Sequence, residues 1–418
     1  AEAPEMNPFF PYLQERLSQI IESQAPAMAG VSLNYLSQAL CTFAILGFLR
    51  RTCPEITLVL GGGLVTSWMR RPGWKDPFTG LVDHLVSGPG EQVLLSLCGI
   101  DDPMRARSIP SYEFVSEIVP AGRPFQNGAV PAMSDHASSP PATPDSRHGN
   151  TYLSPGFILP YSSSNGCYWG KCAFCPERAE GNPYEPIPVC EATKEVRVLG
   201  RKTHPVMLHI LDNAMTPRLL KAFTGDPPGI PWYGFARVTT HLADEDFCVA
   251  LKHSGCTMLQ LGIESGDQSV LDREQKGINL EVVSRALKNL RKAEIAAYVY
   301  LLFGTPAETL REARKTLQFT AQHAGEIGFL NLAVFNLPVY GKEAEALTTR
   351  MHYEGDLSLY ADFVHPKGWN RHLVRQFLDK EFRREPAIAS IIRRDPPFFT
   401  SNHAPFFSHF RSSTHIKT

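Results

Sequence analysis

The sequence predicts an α/β chain in two parts: a partial (βα)6 TIM-like barrel, preceded by a smaller Rossmann-like domain that looks N-terminally incomplete. Three observations carry this. Short apolar runs ending in small-residue turns alternate with helical stretches over residues 29 to 99, the habit of parallel strands covered on both faces. The alternation breaks at a stretch rich in Pro, Ser, Ala and Gly, "PSYEFVSEIVPAGRPFQNGAVPAMSDHASSPPATPDSRHGN". It then resumes in six longer strand-then-helix units, fewer than the eight that close a full barrel.

The elements follow in order. "NPFFPYLQERLSQIIES" opens the chain as a helix, and "AGVSL" (29 to 33), "ITLVLGGG" (56 to 63) and "DHLVSGPG" (83 to 90) supply three strands and their turns. We expect a first domain over 1 to 105, an extended linker over 106 to 150, a barrel over 151 to 340 and a C-terminal extension over 341 to 418. The barrel strands are "GFILPY", "VMLHILD", "WYGFARV", "MLQLGIES", "AAYVYLLFG" and "GFLNLAVFNL". Between them, "LEVVSRALKNLRKAEI" places Leu280, Val283, Leu287 and Leu290 on one helical face. The extension has a helical stretch, "RHLVRQFLDKEFRR", and an aromatic, Pro-rich tail, "RDPPFFTSNHAPFFSHF", read as a strap over a core. His365, Trp369, His403 and the aromatics of Phe398 to Phe410 are the alternative, a roof over the barrel mouth that touches a substrate.

Composition narrows the function classes. With 41 Lys+Arg against 42 Asp+Glu the formal charge is −1, so no polyanion-binding surface is advertised and nucleic acid is not an expected partner. No apolar run is long enough to span a membrane, and a cytoplasmic protein is expected. Nine cysteines, an odd number spread thinly, do not read as a secreted disulfide framework. Cys41, Cys53, Cys98, Cys248 and Cys256 read as small buried hydrophobes.

One cluster stands apart. "SSSNGCYWGKCAFCPERAEG" puts Cys167, Cys172 and Cys175 in the loop after the first barrel strand, at the end of the sheet where parallel barrels gather their chemistry. Closely spaced thiolates select zinc or an iron-sulfur cluster. Structural zinc would need a fourth ligand, for which Cys190 or a scattered histidine is on offer. A cubane on three thiolates instead leaves one iron open to a chelating cofactor or substrate.

The loop resembles that of the radical S-adenosylmethionine (SAM) superfamily, and "GCYWGKCAFC" is similar to the variant in members that carry an N-terminal cobalamin-binding domain. The commonest pattern has three residues between the first two cysteines, where this chain has four; C-x2-C with an aromatic, Phe174, before the last cysteine is retained. The resemblance covers about residues 155 to 340. It implies a 4Fe-4S cluster on Cys167, Cys172 and Cys175, which are both metal ligands and the catalytic centre. It implies SAM chelating the open iron, cleaved reductively to a 5'-deoxyadenosyl radical that abstracts hydrogen from an unreactive C–H bond. It places Asp212 at the SAM amino group, Arg237 at its carboxylate, Glu264 and Ser265 near the ribose, and Gly304 and Pro306 at the adenine, with Glu308 opening the next helix. Each also has a plain structural reading as a cap or first-turn residue. An electron donor such as flavodoxin or ferredoxin is implied as partner; the substrate is not.

The first 100 residues resemble the later part of a cobalamin-binding domain. Gly61, Gly62, Gly63, Gly88 and Gly90 follow strands and would allow close approach of a large flat ligand. The cobalt-binding Asp-x-His-x-x-Gly pattern is absent, and "DHLVSG" has another spacing. Cobalamin bound without a protein imidazole, cobalamin bound through sequence missing upstream, and a vestigial sheet that binds none all stay open; with cobalamin methyl transfer leads, and without it hydrogen abstraction leading to rearrangement or oxidation. A radical SAM methylthiotransferase and a non-enzymatic iron-sulfur or zinc protein are the competing readings.

Overall fold

The computed structural model describes residues 1–71, 74–88, 90–99, 118–120, 157–339, 341–350 and 357–394. The chain divides into two compact units, one of residues 1–132 with 351–359, the other of 133–350 with 360–418.

The first unit is built on a four-stranded sheet in the order β1 (Met28–Ser32), β2 (Thr57–Gly61), β3 (His84–Val86), β4 (Ile118–Pro120). The first three are parallel and β4 runs antiparallel, pairing Ile118 with Val86 and Pro120 with His84. The expected linker therefore contributes a strand in the part of it that is described. An X-Pro dipeptide fits there because β4 is an edge strand, where a missing N–H costs no ladder bond. Helix α1 (Phe10–Gln24), α2 (Ala39–Thr52), α3 (Gly63–Met69) and α4 (Glu91–Leu97) accompany the sheet. The apolar residues of α2 meet β2 in a core of Leu46, Phe48, Leu49, Leu58, Leu60 and Trp68. Trp68 donates its indole N–H to the Leu357 carbonyl at 2.7 Å, which ties the returning segment 357–359 to this unit. Asp83, just before β3, accepts from Leu58 N–H and from Arg50.

The second unit is the partial barrel. Its six strands, β5 (Ile158–Tyr161), β6 (Met207–Met215), β7 (Trp232–Ala236), β8 (Cys256–Glu264), β9 (Ala296–Phe303) and β10 (Ile327–Val334), lie in chain order and are all parallel. Each falls on its predicted run. Alternation sorts the side chains into two faces. Leu208, Ile210, Leu259, Leu261, Val299 and Leu301 point outward to a helical layer, while Met207, Tyr233, Met258, Tyr298 and Phe329 fill the barrel floor. The helices begin on good caps: Thr216, Asp244, Asp267, Asn279 and Thr309 each accept a backbone N–H through the side chain.

The described part of the extension completes this unit. Thr349–Arg350, Tyr360–Phe363 and Leu337–Pro338 form a small antiparallel sheet. Arg371–Lys380 and Pro386–Ile392 are helices whose Val374, Phe377, Ile388 and Ile391, with Phe382 from the turn between them, join the outer core of the barrel. The aromatic tail from residue 395, with His403 and Phe398 to Phe410, lies outside the described residues. Of the five cysteines read as buried, Cys53, Cys248 and Cys256 are buried, Cys41 is half-buried and Cys98 is exposed.

Candidate functional site at the strand ends

The cysteine loop leaves β5 at its C-terminal end. Gly166 (φ +67) and Gly170 (φ +58) bend it through left-handed backbone, and at Gly166 a Cβ would meet the Pro183 carbonyl at 2.1 Å. Cys172 is buried, Cys167 and Cys175 half-buried, and all three are free thiols. Among the described residues no three Cys, His, Asp or Glu side chains are gathered closely enough to hold one metal ion. A zinc ion needs every donor within about 2.3 Å of itself, whereas a cubane spreads its thiolates over separate irons. The donor set is soft and three-membered, which suits the cluster.

Burial raises the Cys172 thiol, against the pull of Lys276 and Arg237, and pushes Cys175 up to about 11 against backbone N–H groups of Arg178 and Glu177. Loading a metal on these sulfurs therefore displaces protons.

Two buried cations flank Cys172. Arg237, which follows β7, brings a guanidinium nitrogen 3.9 Å from the Cys172 sulfur, donates to the Lys276 carbonyl and stacks 4.3 Å from the Trp169 ring. Lys276 pairs with Glu264 at 2.8 Å and lies 5.6 Å from the Phe174 ring. Trp169 donates its indole N–H to the Gln275 carbonyl, and Gly277 (φ +66) leaves room for its ring, since a Cβ there would stand 2.1 Å from it. Sequence reading missed Lys276 and Trp169. Lys276 follows a short helix on no strand end, and Trp169 lies between cysteines in a loop without a periodic pattern.

The expected SAM contacts separate into two groups. Glu264 closes β8 in left-handed backbone (φ +67), after a bulge at Gly262, and this turns its carboxylate toward Lys276. Arg237 and Glu264 thus stand together beside the cysteines. Ser265 stands elsewhere: its hydroxyl is buried against Thr316 at 3.2 Å and accepts from Asp267 N–H. Thr316 belongs to the outer helix Leu310–Gln322, so the Ser265 hydroxyl is engaged there and not beside Glu264. Asp212 is buried and accepts from Ser163 N–H at 2.6 Å and Ser163 hydroxyl at 2.5 Å, fastening β6 to the start of the cysteine loop; burial raises its carboxyl.

Gly304 (φ +82), after β9, donates its N–H to Glu308 at 2.6 Å. Glu308 is 1% exposed; its other partner is the Trp369 indole at 2.9 Å, and burial pushes its carboxyl up to about 7. His365 contacts the Thr305 carbonyl at 2.9 Å and Lys367 donates to the Ala307 carbonyl. Residues 365–369 therefore clasp 304–308, with half-buried Pro306 in their midst. His365 and Trp369 thus pack on the loop after β9.

In the first unit, Gly62 (φ +104) is required by contact, since a Cβ would stand 2.6 Å from the Leu33 carbonyl. Gly63 N–H binds Asn34, Gly88 N–H (φ +78) binds Thr66, and Gly61 and Gly90 pack near Val86. All follow strands, and Tyr35 and Leu36 stand exposed after β1. His84 sits within β3, paired with Val59 and Pro120, away from the turns.

Residues 161–320 match the Radical SAM superfamily. The chain carries a radical SAM domain, for which a 4Fe-4S cluster and SAM are the cofactors, preceded in sequence by a smaller α/β unit. It is 27% identical over 278 residues to the anaerobic magnesium-protoporphyrin IX monomethyl ester cyclase of Rubrivivax gelatinosus, covering 63% of this chain and 49% of that protein. It is 26% identical over 164 residues to an uncharacterized methyltransferase of Pyrococcus horikoshii, covering 38% and 35%. The chain thus spans about a third to a half of the length of these relatives. Among solved structures, the radical SAM methyltransferase TsrM from Kitasatospora setae superposes with a TM-score of 0.53 at 19% identity over 78% of this chain and 66% of that one. The cobalamin-dependent radical SAM enzyme OxsB gives 0.53 at 15% over 96% and 54%, spanning both units. Among the described residues no helix is long and apolar enough to cross a membrane.

Proposed function

We propose that this chain is a radical SAM methyltransferase that works with cobalamin held by its first unit. The observation that carries the reading is the juxtaposition of three free cysteines with Arg237, Lys276 and Glu264 at the strand ends of a six-stranded parallel barrel. When bound, the cluster supplies the electron that cleaves the SAM sulfonium bond, and cobalamin supplies a methyl group.

The chain's own residues bind, orient and exclude water. Cys167, Cys172 and Cys175 hold the cluster, and the cations beside Cys172 offset its negative charge. Glu264 would meet the SAM ribose, while Gly304 and Pro306, clasped from 365–369, would offer backbone to the adenine. Asp212 sets the cysteine loop through Ser163, and Ser265 anchors the outer helix. The glycine turns with exposed Tyr35 and Leu36 offer cobalamin backbone and apolar surface, and no imidazole. The methyltransferases among the similar proteins support this reading. Domains of 1–105 and 151–340, a flavodoxin or ferredoxin as electron donor, and the cytoplasm as compartment complete it.

The test is anaerobic protein loaded with cluster and cobalamin and given SAM carrying a CD3 group. Bound cobalamin, and deuterated methyl on the metal or on an acceptor from a cell extract, are expected. Cobalamin that passes through unbound would contradict the methyltransferase reading and leave hydrogen abstraction alone.

A further inference from the structure

The barrel lumen has a composition that selects among substrates. Its floor, Met207, Tyr233, Met258, Tyr298 and Phe329, is closed. The inward positions that follow it along β6 to β10 are His209, Leu211, Phe235, Gln260, Gly262, Tyr300 and Asn331. Phe235 and Tyr300 are tilted rings 4.9 Å apart and half-buried, Leu211 is 47% exposed, and His209 lies flat on Tyr233 at 4.2 Å. Gln260 is 1% exposed, donates to the Tyr300 hydroxyl at 3.0 Å, and keeps its carbonyl oxygen buried without a partner. Among the described residues the inward positions from this floor up to Phe235, Gln260 and Tyr300 hold no Asp, Glu, Lys or Arg; the charged groups, Arg237, Lys276 and Glu264, stand above them at the rim. Burial pushes His209 down to about 4, so it too is neutral.

Resting on the function proposed above, we propose that the lumen takes a neutral aromatic ring as the reacting part of the substrate, with any charged group left at the rim. A ring finds edge and face partners in Phe235 and Tyr300, and a ring hydroxyl or N–H finds the unpaired Gln260 oxygen. A carboxylate or ammonium there would lose its water and gain no counter-ion. Gly262 lets the Glu264–Lys276 pair close over the top of this apolar stretch, because a Cβ would stand 2.5 Å from the Glu264 carboxylate, and the pair marks the rim where a charged group of the substrate stays.

Calorimetric titration of the holoenzyme with three bicyclic probes tests this: 2-naphthol, the saturated decahydro-2-naphthol and the charged 2-naphthoate. 2-Naphthol is expected to bind about tenfold tighter than the saturated bicycle, with 2-naphthoate weaker than about 1 mM. Tyr300→Leu should erase the preference for the flat probe while the cluster absorbance stays; Phe235→Leu serves the same purpose should the first variant fail to fold. Equal binding of flat and saturated probes, binding of 2-naphthoate on a par with 2-naphthol, or no binding would overturn the assignment. Formation of 5'-deoxyadenosine is scored on the same samples. SAM cleavage without selectivity overturns the ring assignment alone; selectivity without SAM cleavage upholds it and overturns the radical reading.

Discussion

The molecule contains two parallel sheets whose strands end in glycine turns, and they spend those ends differently. After β2, Gly62 is pressed on Leu33 and Gly63 N–H is taken by Asn34, so the glycines mainly let neighbouring loops touch. After the barrel strands, glycines make room for side chains: Gly277 for the Trp169 ring, Gly262 for the Glu264–Lys276 pair. Charge follows the same division. Arg237, Lys276, Glu264 and Glu308 are drawn to the barrel ends, whereas the side chains that bind the glycine N–H groups of the first sheet, Asn34 and Thr66, are neutral. A glycine after a strand is therefore no sign of a ligand until the space it leaves has been identified.

Four changes sharpen or break this contrast. Trp369→Ala removes both packing and the indole bond to Glu308, and should destabilise the barrel by about 3–5 kcal/mol in denaturant unfolding. A loss well under that range would mean the clasp is ornamental.

Glu308 gives the next largest effect. Its folded pKa, about 7, lies above the unfolded value near 4.5, so the folded state favours the protonated form. The stability this contributes is fully present below pH 4.5 and is lost as pH rises toward 7, by on the order of 3 kcal/mol. Glu308→Gln should flatten that part of the stability–pH curve; an unchanged slope would assign it to other groups.

In the first sheet, Gly62→Ala meets the Leu33 backbone in a left-handed conformation and should cost about 1–3 kcal/mol without touching cluster content. Cluster loss in that variant would erase the distinction between the two sets of glycines.

The smallest effect concerns the cations. Arg237→Gln or Lys276→Met removes positive charge beside Cys172 and should make the cluster harder to reduce, with a midpoint lower by about 60 mV, tenfold in the one-electron equilibrium. EPR-monitored titration reads it directly, and an unmoved midpoint would place both cations outside the cluster's field.

The comparison also shows what a sequence can carry. All six barrel strands were legible because each is a continuous apolar run ending in a small or polar turn, and the cysteine loop because three cysteines in nine positions need a shared purpose. The β4 strand was not: Ile118–Pro120 is three residues long in a stretch dominated by Pro and Ser, and only its partner β3 makes it a strand. Among site residues, position along a strand was readable and direction was not. Glu264 and Ser265 are neighbours, yet the bulge at Gly262 and the positive φ at Glu264 send one to Lys276 and the other to Thr316. Lys276 and Trp169 reach the site by side-chain length from loops without a periodic signal.

The most direct test of the account is SAM cleavage itself. Protein reconstituted anaerobically with iron and sulfide, reduced with dithionite and given SAM should release 5'-deoxyadenosine, and Cys167→Ala should abolish both the cluster absorbance and the product. Tightly bound zinc with no iron, or equal 5'-deoxyadenosine from the Cys167→Ala variant, would contradict it.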